Sequence, residues 1–168
     1  MESKLSVRRT TLLRRGRVSI PKSRYFITLC TKNRVKSLTI QPSADRLFSQ
    51  LESQERDGDF QLHCGTLMPD HLHLVLRIGE KLPFSKTIAK LKAKTREPID
   101  WQKNFYDHRI RSDETEEEYA RYVFMNPYRS GICKLDCSYP LWRRWRETPY
   151  SFEESLSTHG SIPNEWIH

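Results

Sequence analysis

The sequence is poor in cysteine and has no long apolar run. Its four cysteines, Cys30, Cys64, Cys133 and Cys137, do not form the spaced framework of a small secreted domain, which excludes a disulfide-stapled fold. Cys133 and Cys137 make a lone C-x-x-x-C, and without a second pair a zinc knuckle gives way to two small, partly buried residues in a loop. No apolar stretch approaches the roughly 18–20 residues of a membrane span, and the N-terminal residues lack the apolar core of a signal peptide. The expected compartment is the cytoplasm, with no membrane partner. Internal repeats, low-complexity segments and a P-loop are also absent.

What is present is enough for one globular domain. At 168 residues the chain can bury a core without disulfides or a structural metal, and its 36% hydrophobic and 30% charged residues exclude disorder. The net charge of +8 is unevenly spread: residues 1–24 carry eight basic side chains, among them Arg14, Arg15 and Arg17, against Glu2 alone. Two more basic segments follow, KTIAKLKAK at 86–94 and WRRWR at 142–146. Any one of these suits a solvated surface. Together they favour a polyanionic partner, with interleaved aromatics offering faces to unpaired bases.

Residues 1–24 have no clean apolar period and read as a flexible basic arm. YFITLCT at 25–31 reads as a strand, and Ser43 to about Arg56 as a helix with Leu47, Phe48 and Leu51 at helical spacing, ended by Asp57-Gly58. Phe60–Met68 and His71–Ile78 read as a hairpin around Pro69-Asp70. A helix from about Pro83 puts Phe84, Ile88 and Leu91 on one face and Lys86, Lys90 and Lys94 among the lysines of the other. FYDHRIR at 105–111 is a candidate fourth strand. Thr115 and Glu118 have capping-box spacing at the start of a further helix, acids crowd its first turn, and Gly131 can close it. The order predicts an α+β fold: a ferredoxin-like antiparallel sheet with helices on one face, plus an added C-terminal helix carrying Tyr122. The expected divisions are an arm at 1–24, a domain at 25–132 and a loop-rich tail at 133–168.

The chemistry concentrates in MPDHLHLVLR, residues 68–77. On a strand, His71 and His73 share one face while Leu72, Leu74 and Leu76 take the other. Two imidazoles side by side can chelate a divalent metal if a third group approaches; otherwise they are hydrogen-bonded or exposed histidines on a half-buried strand. Tyr122 and Asn126, four residues apart, share a helix face and pair a phenol with an amide oxygen able to bind a hard cation. Pro127 removes an amide donor, so the helix must kink or end there.

These segments together resemble a known family. MPDHLHLVL looks like the His-hydrophobe-His strand of HUH nucleases, and YFITLCTKNR, MPDHLH, FYDHRIR and YVFMNPYRSG, in this order, resemble the REP-associated tyrosine transposases. The resemblance covers about residues 24–132, and its strongest element pairs H-x-H with Tyr-x-x-x-Asn-Pro about fifty residues later. It implies His71, His73 and Asn126 as ligands of Mg²⁺ or Mn²⁺. It implies Tyr122 as the nucleophile that cleaves single-stranded DNA through a 5′-phosphotyrosine link and rejoins it at hairpins of palindromic repeats. Tyr106, Tyr119 and Tyr128 are rival nucleophiles, but only Tyr122 has the spacing to Asn-Pro. By analogy, and prompted by charge alone, Arg14, Arg15 and Arg17 of the arm would cover bases flanking the hairpin and Lys86, Lys90 and Lys94 its backbone. Arg121 and Arg129 are candidates for phosphate contacts, with ordinary surface arginine the favoured reading, and His63 and His108 are expected to be structural. A monomer is favoured, although related transposases work as dimers.

Three other readings compete. A non-catalytic DNA- or RNA-binding regulator on the same fold would keep these residues without turnover. A replication-initiator nuclease is disfavoured by the short chain without a P-loop, and a nucleotide hydrolase with a longer histidine run by Val75.

Overall fold

A computed structural model describes residues 20–167. Arg14, Arg15 and Arg17, and with them most of the expected arm, lie outside the described residues. The elements are β1 (Arg24–Cys30), α1 (Ser43–Arg56), β2 (Phe60–Leu67), β3 (His71–Ile78), α2 (Phe84–Thr95), β4 (Tyr106–Arg109), α3 (Glu116–Arg129), β5 (Trp142–Arg144) and α4 (Ser151–His159). Short 3₁₀ turns occur at Lys32–Arg34 and Asn164–Ile167. The sheet order is β4-β1-β3-β2-β5, antiparallel throughout. Its first four strands form the expected ferredoxin-like α+β arrangement.

Strand alternation divides the interior into two cores. Ile27, Leu29, Leu72, Leu74 and Leu76 face α1 and α2, packing on Leu47, Leu51, Ile88 and Leu91. Phe26, Cys64 and Val75 face the other way, onto Ala120, Val123, Phe124 and Met125 of α3. The first two helices therefore share one face, and the tyrosine helix covers the opposite one.

A β-bulge in β2 adjusts this division. Leu62 pairs with Leu76, but the register then shifts so that Cys64 pairs with Val75 and Thr66 with His73. The extra residue, His63, reverses the alternation and sends Cys64 and Thr66 to the α3 face.

Helix ends follow their local chemistry only in part. Gly58 and Gly131 take positive φ, 78° and 74°, after α1 and α3, where a side chain would be strained. Thr115 is the N-cap of α3 in extended conformation, but its side chain makes no capping hydrogen bond. The expected capping box is therefore not formed. Glu116, in the first turn, is buried instead: it accepts from Tyr150 Oη at 2.9 Å and from Arg24 and Arg146 at 3.3 Å each, and His63 Nδ1 approaches it at 2.8 Å.

Residues beyond Cys133 hold more structure than the loop-rich reading expected. β5 extends the sheet beside β2, and Tyr150, Phe152 and Ile162 enter the second core. The aromatic residues that bring the tail in are scattered along it, without the helical or strand period that would have revealed their common destination. The arginines of WRRWR have partners within the fold: Arg144 pairs with Glu153, Arg146 with Glu116, and exposed Arg143 lies 4.9 Å from the Phe48 ring centre, so they help join the tail to the domain.

Candidate active site

Antiparallel pairing of β1 with β3 sets Thr28 opposite His73, and β2 sets Thr66 opposite it on the other side. All three point toward α3. Thr28 Oγ1 lies 2.9 Å from His73 Nδ1, and Asp70 Oδ1 lies 2.7 Å from His71 Nδ1. With both Nδ1 atoms engaged, both Nε2 atoms turn to a common point, 3.1 Å apart. Asn126 brings one end of its amide to 3.2 Å from His73 Nε2. Half a turn of that amide about its own axis would offer the oxygen to the same point.

The surroundings of these imidazoles favour their neutral form. Burial lowers the His71 pKa, although Asp70 works against the shift, and His73 falls well below its ordinary value because burial is compounded by His71 and Arg34. Asp70 is held below the usual carboxylate range: burial opposes this, but His71 and Arg34 outweigh it, with Arg34 Nε 2.8 Å from Oδ2. Unprotonated nitrogens backed by a carboxylate and a hydroxyl are a donor set suited to a divalent cation. Two ligands of an octahedral ion of Mg²⁺ size would sit about 3 Å apart, which the Nε2 pair matches. Among the described residues no cluster of three or more His, Cys, Asp or Glu offers an alternative centre.

Tyr122 stands one helical turn before Asn126. Its ring meets those of His73 and Phe26 edge-on, each at 5.7 Å, with the Arg129 guanidinium 5.9 Å from its centre. Tyr119, on the same side of α3, is committed elsewhere. Its hydroxyl donates to Glu114 Oε1 at 2.9 Å, and burial together with that carboxylate pushes its pKa up. Tyr128 accepts the Tyr139 amide at 3.1 Å. Tyr106 lies on β4, its pKa raised by burial and then by Asp107 and Tyr122.

Pro127 does not end α3, which continues to Arg129. The amide it lacks would have bonded the Val123 carbonyl, and the Thr66 hydroxyl donates there instead at 2.8 Å. The helix thus passes the proline with its backbone satisfied and holds Tyr122 and Asn126 over the sheet.

Among the other expected site residues, Lys86 and Lys94 are exposed on α2. Lys90 is not free for a phosphate: its ammonium lies 2.6 Å from buried Asp59 and 3.1 Å from Asp57. Arg129 donates twice to the Trp166 carbonyl, at 3.0 and 3.2 Å, while remaining exposed beside Tyr122. His63 and His108 have structural partners, Glu116 and Glu114. Sequence reasoning missed Thr28, Thr66 and Asp70. Only Asp70, adjacent to His71, had a signal in the chain; the threonines follow from strand register.

Residues 19–125 match the family model described as "Transposase IS200 like". The chain belongs to this transposase family. A REP-associated tyrosine transposase of Escherichia coli (strain K12) is 23% identical over 122 residues, covering 70% of this chain and 73% of that protein. A Haemophilus influenzae protein whose name carries the same designation is 24% identical over 135 residues, covering 69% and 76%. The fold matches the structure of a REP-associated tyrosine transposase bound to a REP hairpin, with a TM-score of 0.65 and 21% identity over 88% of this chain and 87% of that one. The family resemblance drawn from MPDHLH and Tyr-x-x-x-Asn-Pro is borne out. No helix among the described residues is long and apolar enough to cross a membrane.

Proposed function

We propose that this transposase cleaves and rejoins single-stranded DNA at hairpins of palindromic repeats, with Tyr122 as nucleophile. The reading is carried by one observation: His71 Nε2 and the Asn126 amide lie 3.1 and 3.2 Å from His73 Nε2 on α3's side of the sheet, one turn from Tyr122, whose hydroxyl makes no hydrogen bond among the described residues. His71, His73 and Asn126 would hold Mg²⁺ or Mn²⁺, which when bound supplies Lewis-acid polarisation of the scissile phosphate.

The chain's own groups account for the rest. Deprotonated Tyr122 Oη attacks phosphorus in line with the 3′ oxygen; a P–O bond to tyrosine forms as the P–O3′ bond breaks. The tyrosine proton passes to solvent, and the leaving 3′ oxygen takes one up. The products are a 5′-phosphotyrosine and a 3′ hydroxyl, and attack by another 3′ hydroxyl reverses the step. One phosphodiester bond replaces another, so no nucleotide cofactor is required. The Arg129 guanidinium, beside the Tyr122 ring, is suited to a phosphate oxygen.

The hairpin as substrate is supported by the likeness to the transposase whose structure holds a REP hairpin. Lys86 and Lys94 would meet its backbone, and Arg14, Arg15 and Arg17 the flanking strand. Tyr122 lies against His73 of its own chain, at 5.7 Å between ring centres, which supports a monomer that attacks without a partner's tyrosine.

The test is incubation with labelled single-stranded hairpins in Mg²⁺, Mn²⁺ or EDTA, comparing wild type with Tyr122→Phe. The expected result is a metal-dependent covalent adduct absent from the variant. An adduct surviving in Tyr122→Phe would move the chemistry to another tyrosine. Tight binding without any adduct would make the protein a hairpin-binding regulator.

A further inference from the structure

Beside Tyr122, between α3 and the β1–β4 edge of the sheet, lies a cavity of about 300 Å³ lined by Phe26, Tyr106, His108, Tyr119, Tyr122 and Arg129. Strand register accounts for its walls. Phe26 pairs with His108 and Thr28 with Tyr106, so β1 and the edge strand β4 present Phe26, Tyr106 and His108 on the sheet face that also carries His73. α3 closes the other side with Tyr119 and Tyr122, and Arg121 and Glu118 complete the rim.

The back wall is fixed before anything enters. His108 and Tyr119 are stacked at 5.3 Å with 20° between their planes, and Glu114 accepts from both, His108 Nε2 at 2.9 Å and Tyr119 Oη at 2.9 Å. Glu114 also takes the Arg111 amide at 2.7 Å, so the carboxylate that joins the two rings is itself anchored. Phe26 forms the floor, edge-on to Tyr106 at 6.0 Å and to Tyr122 at 5.7 Å. Tyr106 is the open side of this arrangement: it is one of the few large hydrophobic side chains left exposed among the described residues, at 37%.

We propose that this cavity receives one unpaired nucleobase of the DNA strand, next to the phosphate that Tyr122 attacks. The inference rests on the functional reading above and adds a specificity site to it. Ring faces at a fixed spacing suit a flat heteroaromatic guest, because every base has a π-face to stack. Pre-ordered walls spare the cost of arranging side chains on binding. Arginine and carboxylate on the rim can donate to and accept from the base edge, whereas a cavity meant only for phosphate would need neither the rings nor Glu118. Since Tyr122 lines both the cavity and the candidate active site, a base held here and a phosphate held there belong to neighbouring nucleotides of one strand.

The test uses the full chain as Tyr122→Phe, which binds without cutting, and hairpins carrying a single-stranded flank. Each flanking nucleotide in turn is replaced by an abasic residue, and affinity is measured with and without Tyr106→Ala. One position is expected to lose about ten- to a hundredfold when abasic, the range of a single base stacked on an aromatic side chain. Tyr106→Ala should cost a similar factor on the intact strand and almost nothing more on that abasic strand, while Tyr106→Phe retains the affinity. A hairpin without a flank reports folding and should bind Tyr106→Ala as it binds the parent. Independent, multiplying losses, or an equal loss on the flankless hairpin, would overturn the base site and leave the functional reading intact. Failure to bind any hairpin or single strand would overturn both.

Discussion

The Thr66 hydroxyl donates to the Val123 carbonyl at 2.8 Å, across from β2 to α3. It fills the vacancy left by the missing Pro127 amide, and it is available only because the bulge at His63 turns Thr66 toward the helix. The bulge, the proline and the position of Tyr122 are thus parts of one arrangement.

Thr66→Val keeps the shape but leaves a buried carbonyl unpaired, and it should destabilise the fold by about 1–3 kcal/mol. Pro127→Ala restores an amide to that carbonyl. In a double-mutant cycle followed by urea unfolding, Thr66→Val should cost clearly less in the Pro127→Ala background; equal costs would separate the two residues.

Metal affinity should depend on groups behind the ligands. Mn²⁺ binding, followed by electron paramagnetic resonance or calorimetry, should be lost in His73→Ala. Thr28→Val and Asp70→Ala, which release the Nδ1 atoms of His73 and His71, should weaken it by about 10–100-fold. Unchanged affinity in both would remove their positioning role.

Glu116 should govern part of the acid stability. Burial would raise its pKa, but His63, Tyr150 and Arg146 outweigh that and hold it at about 2, against an ordinary 4.5. A depressed carboxylate contributes stability that is complete above its unfolded value and disappears as the pH falls from there through the folded one. Urea midpoints of the wild type should therefore fall between about pH 5 and pH 2. Glu116→Gln should start lower, by a few kcal/mol for a buried ionic network, and change less over that window. Parallel curves would show that Glu116 is not the group responsible.

The basic residues should separate by salt dependence. Lys86→Ala and deletion of residues 1–22 are expected to weaken hairpin binding and flatten its dependence on log salt. Lys90→Ala should leave that slope unchanged and instead cost about 1–2 kcal/mol of stability, because buried Asp59 loses a partner. A flattened slope in Lys90→Ala would return it to the interface, and an unaltered one in the arm deletion would end the arm's proposed role.

The chain alone was informative where a local period or spacing carries the information. Alternation in MPDHLHLVLR assigned leucines to one face and histidines to the other, and β3 spans His71–Ile78 as read. Helical spacing assigned α1, and the four-residue interval put Tyr122 and Asn126 on one side of α3. These are properties of consecutive residues, decided by backbone geometry before any long-range contact forms. Tertiary structure decided what depends on partners distant in sequence. It set Thr28 behind His73, reserved Tyr119 for Glu114 and Lys90 for Asp59, buried Glu116 at a tail read as loop, and brought Thr66 to the carbonyl that Pro127 leaves open. Charge and residue type are visible in a sequence, but whether a lysine meets a phosphate or an aspartate depends on which side chains the fold brings within about 3 Å.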